Sequence, residues 1–259
     1  KASHDALHAA VLAQSPWAFY TDVDSTYETD GETGVWKDVS GNGRDSVRSQ
    51  SYLNSALTPQ PHVPHPAPYK QDVAPEIPAV VCNEKQGLVF PNGSVPAKFT
   101  IFARAKFYKA SGMRQRKIVR GAKLQPEWYL GWNAYANVGM YDNQAVFSNS
   151  DRVTDDSKYS YHTIAGRSSN ISPLWMDGNA ASSVPNLQLT PNENPTIALA
   201  IGAIAEVNGM ASDFEISDLI VFDQELSDKK IAEISSMLQN RPKRAVQCCW
   251  DEHIAINVE

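Results

Sequence analysis

Calcium binding is the first chemistry that the sequence suggests, in the stretch GVWKDVSGNGRD at residues 34–45. Asp38, Ser40 and Asn42 occupy the first, third and fifth places of an EF-hand-like loop. The twelfth place, where an EF-hand carries a liganding Glu, is Ser49, which excludes an EF-hand. Two interpretations remain. One is a structural turn, in which the Asp38 and Ser40 side chains bind free amides and the Asn-Gly pair adopts positive φ. The other is a calcium site completed by residues distant in sequence.

Aspartates on loops are the candidate ligands if calcium binds, because a hard cation needs clustered oxygen atoms. The candidate metal ligands are Asp38, Asp45 and Asp142. Further carboxylates lie at Asp177 and in the run Asp151, Asp155 and Asp156. Asp177-Gly178 is also typical of a two-residue hairpin turn, and the run is typical of a solvated loop. No cofactor is certain, and calcium is the one that the pattern suggests.

Sugar binding is the second chemistry, suggested by the aromatic stretch PEWYLGWNAYANVGMYDNQ. On a strand, Trp128, Leu130 and Trp132 share one face and Tyr129 and Gly131 share the other, so at least one aromatic set packs in the core. An aromatic platform edged by Asn and Asp matches the apolar ring face and polar rim of a sugar. Packing of the whole cluster in the core is the alternative. The candidate ligand-binding residues are Trp132, Asn133, Tyr135, Tyr141, Asp142 and Asn143.

Catalytic residues do not form a known constellation in this sequence. His162, in YSYHTIAGR, alternates with apolar residues as an ordinary strand histidine does. The sequence contains no nucleophile elbow, P-loop or HExxH motif. The chain is therefore predicted not to be an enzyme.

Size and charge limit the class of protein. With 259 residues, 42% of them apolar, the chain can bury one large core. The net charge is −6 and its Lys and Arg residues are scattered, which argues against a nucleic-acid partner. The sequence has no run of 18 apolar residues and no signal-peptide pattern at its start, so we expect no membrane span and a soluble chain.

The cysteines allow one disulfide bond, with unknown pairing, among Cys82, Cys248 and Cys249. If the protein is exported, the remaining thiol suggests a covalent link to another chain. Reduced thiols in a cytosolic protein are the alternative. Sequons at Asn92 and Asn170 favour export, and these two residues are the predicted glycosylation sites.

A basic stretch near the C-terminus gives a further indication of export. RPKR, at residues 241–244, is similar to the recognition sequence of secretory-pathway processing proteases. A polar tail after the last helix is the alternative interpretation.

The predicted elements begin with a short helix that ends before Ser15-Pro16. Residues 58–79 hold seven of the sixteen prolines and are predicted to be an extended loop. A second helix is predicted in LSDKKIAEISSMLQ, with Ser227 as N-cap and Ile231, Ile234 and Leu238 on one face. The predicted strands between the helices are QGLVF, KFTIFARAKFY, RKIVRG, EWYLGWN, VGMYD, QAVFS, YHTIAGR, LWMDG, TIALAIGA and FEISDLIVFD.

The order of motifs along the chain resembles the laminin-G-like domains of the concanavalin A-like lectin and glucanase superfamily. The motifs are, in order, VWKDVSGNGRD, LVFPNG, FTIFARAKF, WYLGW, HTIAGR, LWMDG and FEISDLIVFDQELSDKKIAEI. The resemblance covers roughly residues 15–240. It implies an all-β fold, a jelly-roll sandwich of two antiparallel sheets, with short helices at the N-terminus and near the C-terminus. The expected organisation is an N-terminal helical extension at 1–14, the jelly-roll domain at 15–240 and a cysteine-containing tail at 241–259.

The enzymes of this superfamily supply two patterns for comparison. Its retaining glucanases carry E-x-D-x-x-E on one strand, and Asp22, Asp24 and Glu28 come nearest with the wrong spacing. Residues 107–115, FYKASGMRQ, are similar to a strand motif of jelly-roll alginate lyases, which would imply Tyr108 as a proton donor or acceptor. The arginine-rich and Gln-x-His strands that accompany that motif are missing.

The expected function is a non-catalytic extracellular binding or adhesion module that recognises a glycan or a matrix protein through loops of a jelly roll. The alternative is a structural subunit of an extracellular assembly or filament, linked by disulfides or non-covalently. The N-terminal helix, the proline-rich loop and the cysteine tail favour that alternative. A polysaccharide-cleaving glucanase or lyase is a second alternative.

Overall fold

Two antiparallel sheets, packed face to face, form the main body of the fold. The computed structural model of the chain describes residues 2–21, 23–29, 34–46, 60–61, 79–82, 87–107, 117–121, 128–132, 137–142, 144–152, 160–168, 174–180, 199–202 and 214–241. Within these ranges the helices are α1 (Ala2–Leu12), α2 (Val23–Thr26) and α3 (Asp228–Gln239). The strands are β1 (Ala18–Tyr20), β2 (Tyr27–Thr29), β3 (Gly34–Trp36), β4 (Gln60–Pro61), β5 (Val80–Cys82), β6 (Gly87–Val89), β7 (Thr100–Phe107), β8 (Lys117–Gly121), β9 (Trp128–Trp132), β10 (Asn137–Asp142), β11 (Gln144–Arg152), β12 (His162–Arg167), β13 (Leu174–Met176), β14 (Asn179–Ala180), β15 (Leu199–Gly202) and β16 (Phe214–Phe222).

The larger sheet has eight strands in the order β14-β13-β12-β7-β16-β5-β4, and β1 pairs with β16 beside β5. The smaller sheet has six strands in the order β11-β10-β9-β8-β15-β6, and β2 and β3 form a separate hairpin. Some neighbouring strands are consecutive in the chain, as β8 to β11 are, and others come from distant parts of it, as β7 and β16 do. This arrangement confirms the predicted all-β sandwich of two antiparallel sheets.

Strand alternation builds the core between the two sheets. Ile101, Ala103 and Ala105 of β7 face the smaller sheet, which contributes Leu130 of β9. Large side chains fill the space around them, and Tyr20, Trp36, Phe90, Phe99 and Phe214 are among the buried members.

The second face of the larger sheet is covered by helices. Leu7 and Val11 of α1, and the apolar side of α3, pack on a second cluster that includes Phe102, Trp175 and Phe222. The larger sheet is therefore buried on both faces. This explains why all nine residues of β16, including its acidic and hydroxyl side chains, are buried.

Both predicted helices are confirmed. In α3 the side chain of Ser227 accepts a hydrogen bond from the Lys230 amide, and Ile231, Ile234 and Leu238 are buried. Helix α1 ends at Leu12, and the Ser15 amide donates to the Leu12 carbonyl at 2.9 Å. Ser15 has a φ of 51°, a left-handed conformation that ends the helix before Pro16.

All ten predicted strands are confirmed, with small differences at their ends. Within the predicted proline-rich loop, Gln60 and Pro61 pair with Val81 and Val80 as an edge strand. An edge position suits Pro61, because proline has no amide to donate to a neighbouring strand. The remainder of that loop, apart from Ala79, lies outside the described residues. Of the helices that the structure describes, none has the length and apolarity needed to cross a membrane.

Candidate functional site

The Asp38 turn, residues 37–46, follows β3 and contains the first predicted calcium motif. Its base is closed by two hydrogen bonds: the Trp36 amide donates to Ser46 Oγ at 2.7 Å, and the Ser46 amide donates to the Trp36 carbonyl at 2.9 Å. The Trp36 ring is fully buried in the core between the sheets. The turn is therefore anchored at its base to the centre of the sandwich.

The Asp38 carboxylate organises this turn. Its Oδ1 accepts from the amides of Phe19 and Ser40, both at 2.9 Å. Its Oδ2 accepts from Ser40 Oγ at 2.8 Å and from the Arg44 amide at 3.0 Å. Four donors of the protein thus engage the four lone-pair positions of one carboxylate. Positive φ angles fall at Gly41 and Gly43, where the chain bends around the carboxylate.

The second aspartate of the turn is held by its own partners. Asp45 Oδ1 accepts from the Asp38 amide at 2.9 Å, and Asp45 Oδ2 lies 3.1 Å from Lys37 Nζ. The hydrogen bonds to Asp45 and Glu28 raise the pKa of Lys37. The described part of the chain contains no group of three His, Cys, Asp or Glu side chains that could hold a metal ion. In this arrangement the Asp38 and Asp45 carboxylates accept hydrogen bonds within the turn, as the interpretation of the motif as a structural turn predicts.

A cation-aromatic pair joins the turn to the start of β1. The Arg44 guanidinium lies over the Trp17 ring, with Cζ 3.6 Å from the ring centroid. Asn42 Nδ2 donates to the carbonyls of Pro16 and Trp17 at 3.0 and 3.2 Å. Tyr20 Oη donates to the Arg44 carbonyl at 2.5 Å. Burial and the nearby Asp38 and Asp45 carboxylates raise the pKa of Tyr20, so its hydroxyl stays protonated and remains a donor.

One of the two predicted glycosylation sites lies beside this pair. Trp17 Nε1 donates to the Gly93 carbonyl at 3.2 Å, within the turn of residues 91–94. Asn92 is exposed in this turn, so its side chain is accessible for modification. Glycosylation of Asn92 stays a prediction, and Asn170 lies outside the described residues.

The strand register assigns the aromatic residues of β9 to two faces. Leu130 is buried in the core between the sheets. Trp128 and Trp132, two positions away on either side, therefore belong to the inner face of β9. Tyr129 and Gly131 belong to the outer face, and Gly131 is buried. By this alternation the Trp132 position shares a face with Leu130, and its role as a ligand contact stays a prediction.

The neighbouring strand β10 continues the outer face. Tyr141 is the Cα partner of Tyr129, and Gly139 is the Cα partner of Gly131. Paired residues of antiparallel strands share a face, so two tyrosine positions lie beside two glycine positions on the outer side of the smaller sheet. We call these four positions the Tyr129–Tyr141 face. Of the predicted ligand residues, Tyr141 occupies one of these four positions, and Tyr129, which was not among the predicted ligand residues, occupies another.

Several predicted site residues lie where the structure gives no side-chain description. Asp142 ends β10, opposite Trp128, and Cys82 ends β5. The remaining predicted residues, Asn133, Tyr135, Asn143, Cys248 and Cys249, lie outside the described residues, as does Tyr108. The predictions of a sugar contact, a calcium ligand and a disulfide at these positions stay predictions.

Asp177 has a structural role in the described part of the chain. Asp177 and Gly178, both with positive φ, form the predicted two-residue turn between β13 and β14. The Asp177 carboxylate accepts from the Thr163 amide at 2.8 Å and from Gln239 Nε2, and it lies 2.8 Å from His162 Nδ1. The turn is therefore bound both to β12 and to the end of α3.

A polar cluster on the helix-covered face of the larger sheet was not predicted. Tyr161 Oη donates to Glu215 Oε2 at 2.8 Å, and Lys106 Nζ lies 3.2 Å from the same oxygen. The Arg104 guanidinium lies over the Tyr161 ring, with Cζ 4.5 Å from its centroid. Burial lowers the pKa of Arg104, and burial together with Glu215 raises the pKa of Tyr161 well above its usual value. Charges of opposite sign at outward positions of β7 and β16 were the sequence signal for this cluster.

The deepest part of the polar cluster is the ion pair of Asp218 and Arg241, with hydroxyl donors from Thr21 and Ser217. We call these four residues the Asp218 clasp. Arg241 Nη1 donates to Asp218 Oδ1 at 2.5 Å and to Thr21 Oγ1 at 3.1 Å. Thr21 Oγ1 donates to Asp218 Oδ1 at 2.5 Å, and Ser217 Oγ donates to Asp218 Oδ2 at 2.7 Å. Burial acts to raise the pKa of Asp218, but Arg241, Arg104 and the two hydroxyl donors lower it overall, so the carboxylate stays ionised.

The chemistry available to these polar groups is limited by their partners. A tyrosine with a raised pKa stays protonated at neutral pH and is not available as a base, and the Tyr161 hydroxyl already donates to Glu215. Asp218 is fully buried and bound to Arg241. The geometry of the cluster is that of a charge-neutralising network that connects β7, β16 and the ends of β1 and α3.

Comparison with known proteins extends the description of the fold. No protein-family model and no curated protein matches the chain. Among solved structures, the chain is similar to domain 4 of AbnA, a GH43 extracellular arabinanase from Geobacillus stearothermophilus in complex with arabinotriose. The identity is 13% and the TM-score 0.54, over 84% of this chain and 97% of that domain. At such an identity the likeness shows the fold alone.

Two further solved structures share the fold over part of their length. Trypanosoma rangeli sialidase in complex with sialic acid is 12% identical with a TM-score of 0.54, over 84% of this chain and 32% of the sialidase. The receptor binding domain of botulinum neurotoxin D is 11% identical with a TM-score of 0.52, over 86% of this chain and 53% of that domain. The chain therefore spans about a third of the sialidase and about half of the toxin domain.

Proposed function

We propose that this chain is a non-catalytic extracellular binding module of the laminin-G-like type, and that it binds a glycan through the outer face of its smaller sheet. The observation that carries the proposal is the pairing of Tyr129 with Tyr141 across β9 and β10. An extracellular protein that offers an equivalent apolar and polar surface is the alternative ligand for the same face.

The layer order of the fold favours this face. Helices α1 and α3 pack on the second face of the larger sheet, where their apolar residues belong to its outer cluster. A ligand on that sheet would have to displace them. The smaller sheet packs its inner face in the core, and we propose its outer face for recognition.

Residue types at the Tyr129–Tyr141 face suit a sugar. Tyrosine combines an apolar ring with a hydroxyl group, and sugar rings present apolar faces edged by hydroxyls. Gly131 and Gly139 carry no side chain of their own, so neither tyrosine position is flanked by a further side chain two residues along its strand, and Gly131 itself is buried. Asn133, Tyr135 and Asn143 follow closely in sequence and are candidate polar contacts around this face.

The comparisons support the proposal at the level of the fold. The AbnA domain, which this chain matches over nearly its whole length, has been solved in complex with arabinotriose. The toxin domain is named for receptor binding. An antiparallel sandwich of this kind therefore serves as a binding domain in proteins of distant sequence, and we propose the same use here.

The non-catalytic and extracellular parts of the proposal rest on separate features. Glu215 and Asp218 are each engaged by a cation and by hydroxyl donors, so neither carboxylate is poised as a free acid or base. The exposed position of Asn92 in a sequon supports passage through a secretory pathway, where such asparagines are glycosylated.

The test is retention of the purified chain on immobilised neutral and sulfated polysaccharides, with calcium and again with a chelator. We expect retention on at least one glycan, reduced about tenfold or more by Tyr129→Ala combined with Tyr141→Ala, because a stacked aromatic ring contributes on the order of 1 kcal/mol or more. Loss of retention with chelator alone would assign the binding to a calcium site and not to the tyrosines.

The control is Trp17→Ala, which removes an aromatic side chain away from the Tyr129–Tyr141 face, beside the Asp38 turn. It should leave retention unchanged if the smaller sheet holds the ligand. Equal losses for the control and the double variant would contradict the proposed face. No retention on any glycan of a broad panel would contradict the glycan proposal and leave a protein ligand.

A further inference from the structure

Arg241 has two roles that conflict in the folded chain. It is the first residue of RPKR, the basic stretch that is similar to a processing-protease recognition sequence. The other three residues, 242–244, lie outside the described residues. Arg241 is also the cation of the Asp218 clasp, where its side chain is 5% exposed and Asp218 is 0% exposed. A protease that reads the first and fourth residues of RPKR needs this side chain in its own binding cleft.

We propose that RPKR is a latent processing site, which becomes cleavable only when Arg241 leaves Asp218. Cleavage would hydrolyse the peptide bond between Arg244 and Ala245. The hydroxyl of water goes to the Arg244 carbonyl carbon and a proton goes to the Ala245 nitrogen. The protease is one that requires arginine at both the first and the fourth place of R-x-K-R.

The contacts of the clasp explain why the site is held closed. Asp218 lies at an irregularity of β16, where the pairing with β7 shifts between Ile216 and Asp218. Its carboxylate binds Thr21, which follows β1, and Arg241, which follows α3. Extracting Arg241 would leave an ionised carboxylate buried without its cation, and breaking such a pair from one side is strongly unfavourable.

The backbone adds a second restraint. The Arg241 amide donates to the Leu238 carbonyl at 3.3 Å, so Arg241 continues directly from the last turn of α3. Leu238 is fully buried against the larger sheet. Presenting Arg241 in an extended conformation to a protease therefore requires the end of α3 to loosen as well as the ion pair to break.

The test compares cleavage of the whole chain with cleavage of a synthetic peptide, NRPKRAVQ, by one purified protease of this specificity. The released fragment that begins at Ala245 is quantified by mass spectrometry. We expect the folded chain to be cut about 100-fold more slowly than the peptide, because cleavage of a transiently opened segment follows the population of its open form. Asp218→Asn should remove most of that difference.

Two variants separate the clasp from general destabilisation. Val221→Ala removes buried apolar volume from the same strand without touching the clasp, and it should leave cleavage near the rate of the unmodified chain. Thr21→Val, which removes one hydroxyl from the clasp and is milder than Asp218→Asn, should accelerate cleavage about fivefold, as expected for one hydrogen bond.

Three results would overturn the proposal. One is cleavage of the folded chain at the rate of the peptide. Another is equal acceleration by Asp218→Asn and Val221→Ala, which would indicate global opening. The third is a peptide that this class of protease does not cut, which would show that RPKR is not its recognition sequence.

Discussion

Replacement of Asp38 by alanine tests whether its carboxylate holds the turn together. The change removes the acceptor of four hydrogen bonds. Water can replace the carboxylate as acceptor for Ser40 and Arg44, which are partly exposed. Phe19 is fully buried, so its amide would be left without an acceptor. An unsatisfied buried amide costs about 1–3 kcal/mol, and the remaining bonds to a charged group add a further share. We expect Asp38→Ala to lower the free energy of unfolding by about 3 kcal/mol in total.

Urea unfolding followed by tryptophan fluorescence measures this loss, because Trp17 and Trp36 lie beside the turn. The slope of the free energy against urea should not change, since the native surface is nearly the same. In a thermal scan, the same loss corresponds to a fall in Tm of roughly 6–12 °C for a chain of this size.

Asp45→Ala is the control for Asp38→Ala. Asp45 accepts one backbone amide and forms an ion pair with Lys37 at a surface position. We expect a loss of about 1 kcal/mol, because an exposed ion pair contributes little. A loss for Asp38→Ala no larger than that for Asp45→Ala would refute the conclusion that Asp38 organises the turn.

Two further predictions concern Ser15 and the buried tyrosines. Ser15→Gly should stabilise the chain by about 0.5 kcal/mol, because the left-handed φ of 51° strains serine and not glycine; a destabilised variant in urea unfolding would contradict the left-handed conformation of Ser15. In an ultraviolet absorbance titration, Tyr20 and Tyr161 should stay un-ionised at the pH where an unperturbed tyrosine ionises, about 10, because their pKa values are raised in the folded chain. Their contribution to stability is therefore present below the unfolded pKa of about 10 and is lost as the pH rises above it. Ionisation of every tyrosine near pH 10 without unfolding would contradict the raised values.

Local sequence patterns were sufficient for the ten predicted strands and for α1 and α3, whereas α2 and the edge strand β4 were not predicted. Alternating apolar residues predicted the strands, and Ser227 together with the spacing of Ile231, Ile234 and Leu238 predicted α3. These signals depend on neighbours within a few positions, where strand and helix periodicity act directly. The Asp38 turn was predicted for the same reason, since its donors at Ser40 and Arg44 are close in sequence.

Contacts between distant residues were beyond such patterns. The sequence left open which face of β9 is inside, and Leu130 decided it by packing in the core. The hydrogen bond between Asp38 and Phe19 joins residues 19 positions apart in the sequence, and the one between Arg241 and Thr21 joins residues 220 positions apart. No periodicity relates residues so far apart.

The sequence by itself thus determined the class of fold, ten of the described strands and the helices α1 and α3, because those follow from local conformational preference and the pattern of apolar residues. The tertiary structure alone decided that helices cover one sheet and that Arg241 is a buried ion-pair partner. Both outcomes depend on which surfaces meet when the chain closes, and the charge of Arg241 could be buried only because Asp218 lies opposite it in the folded chain.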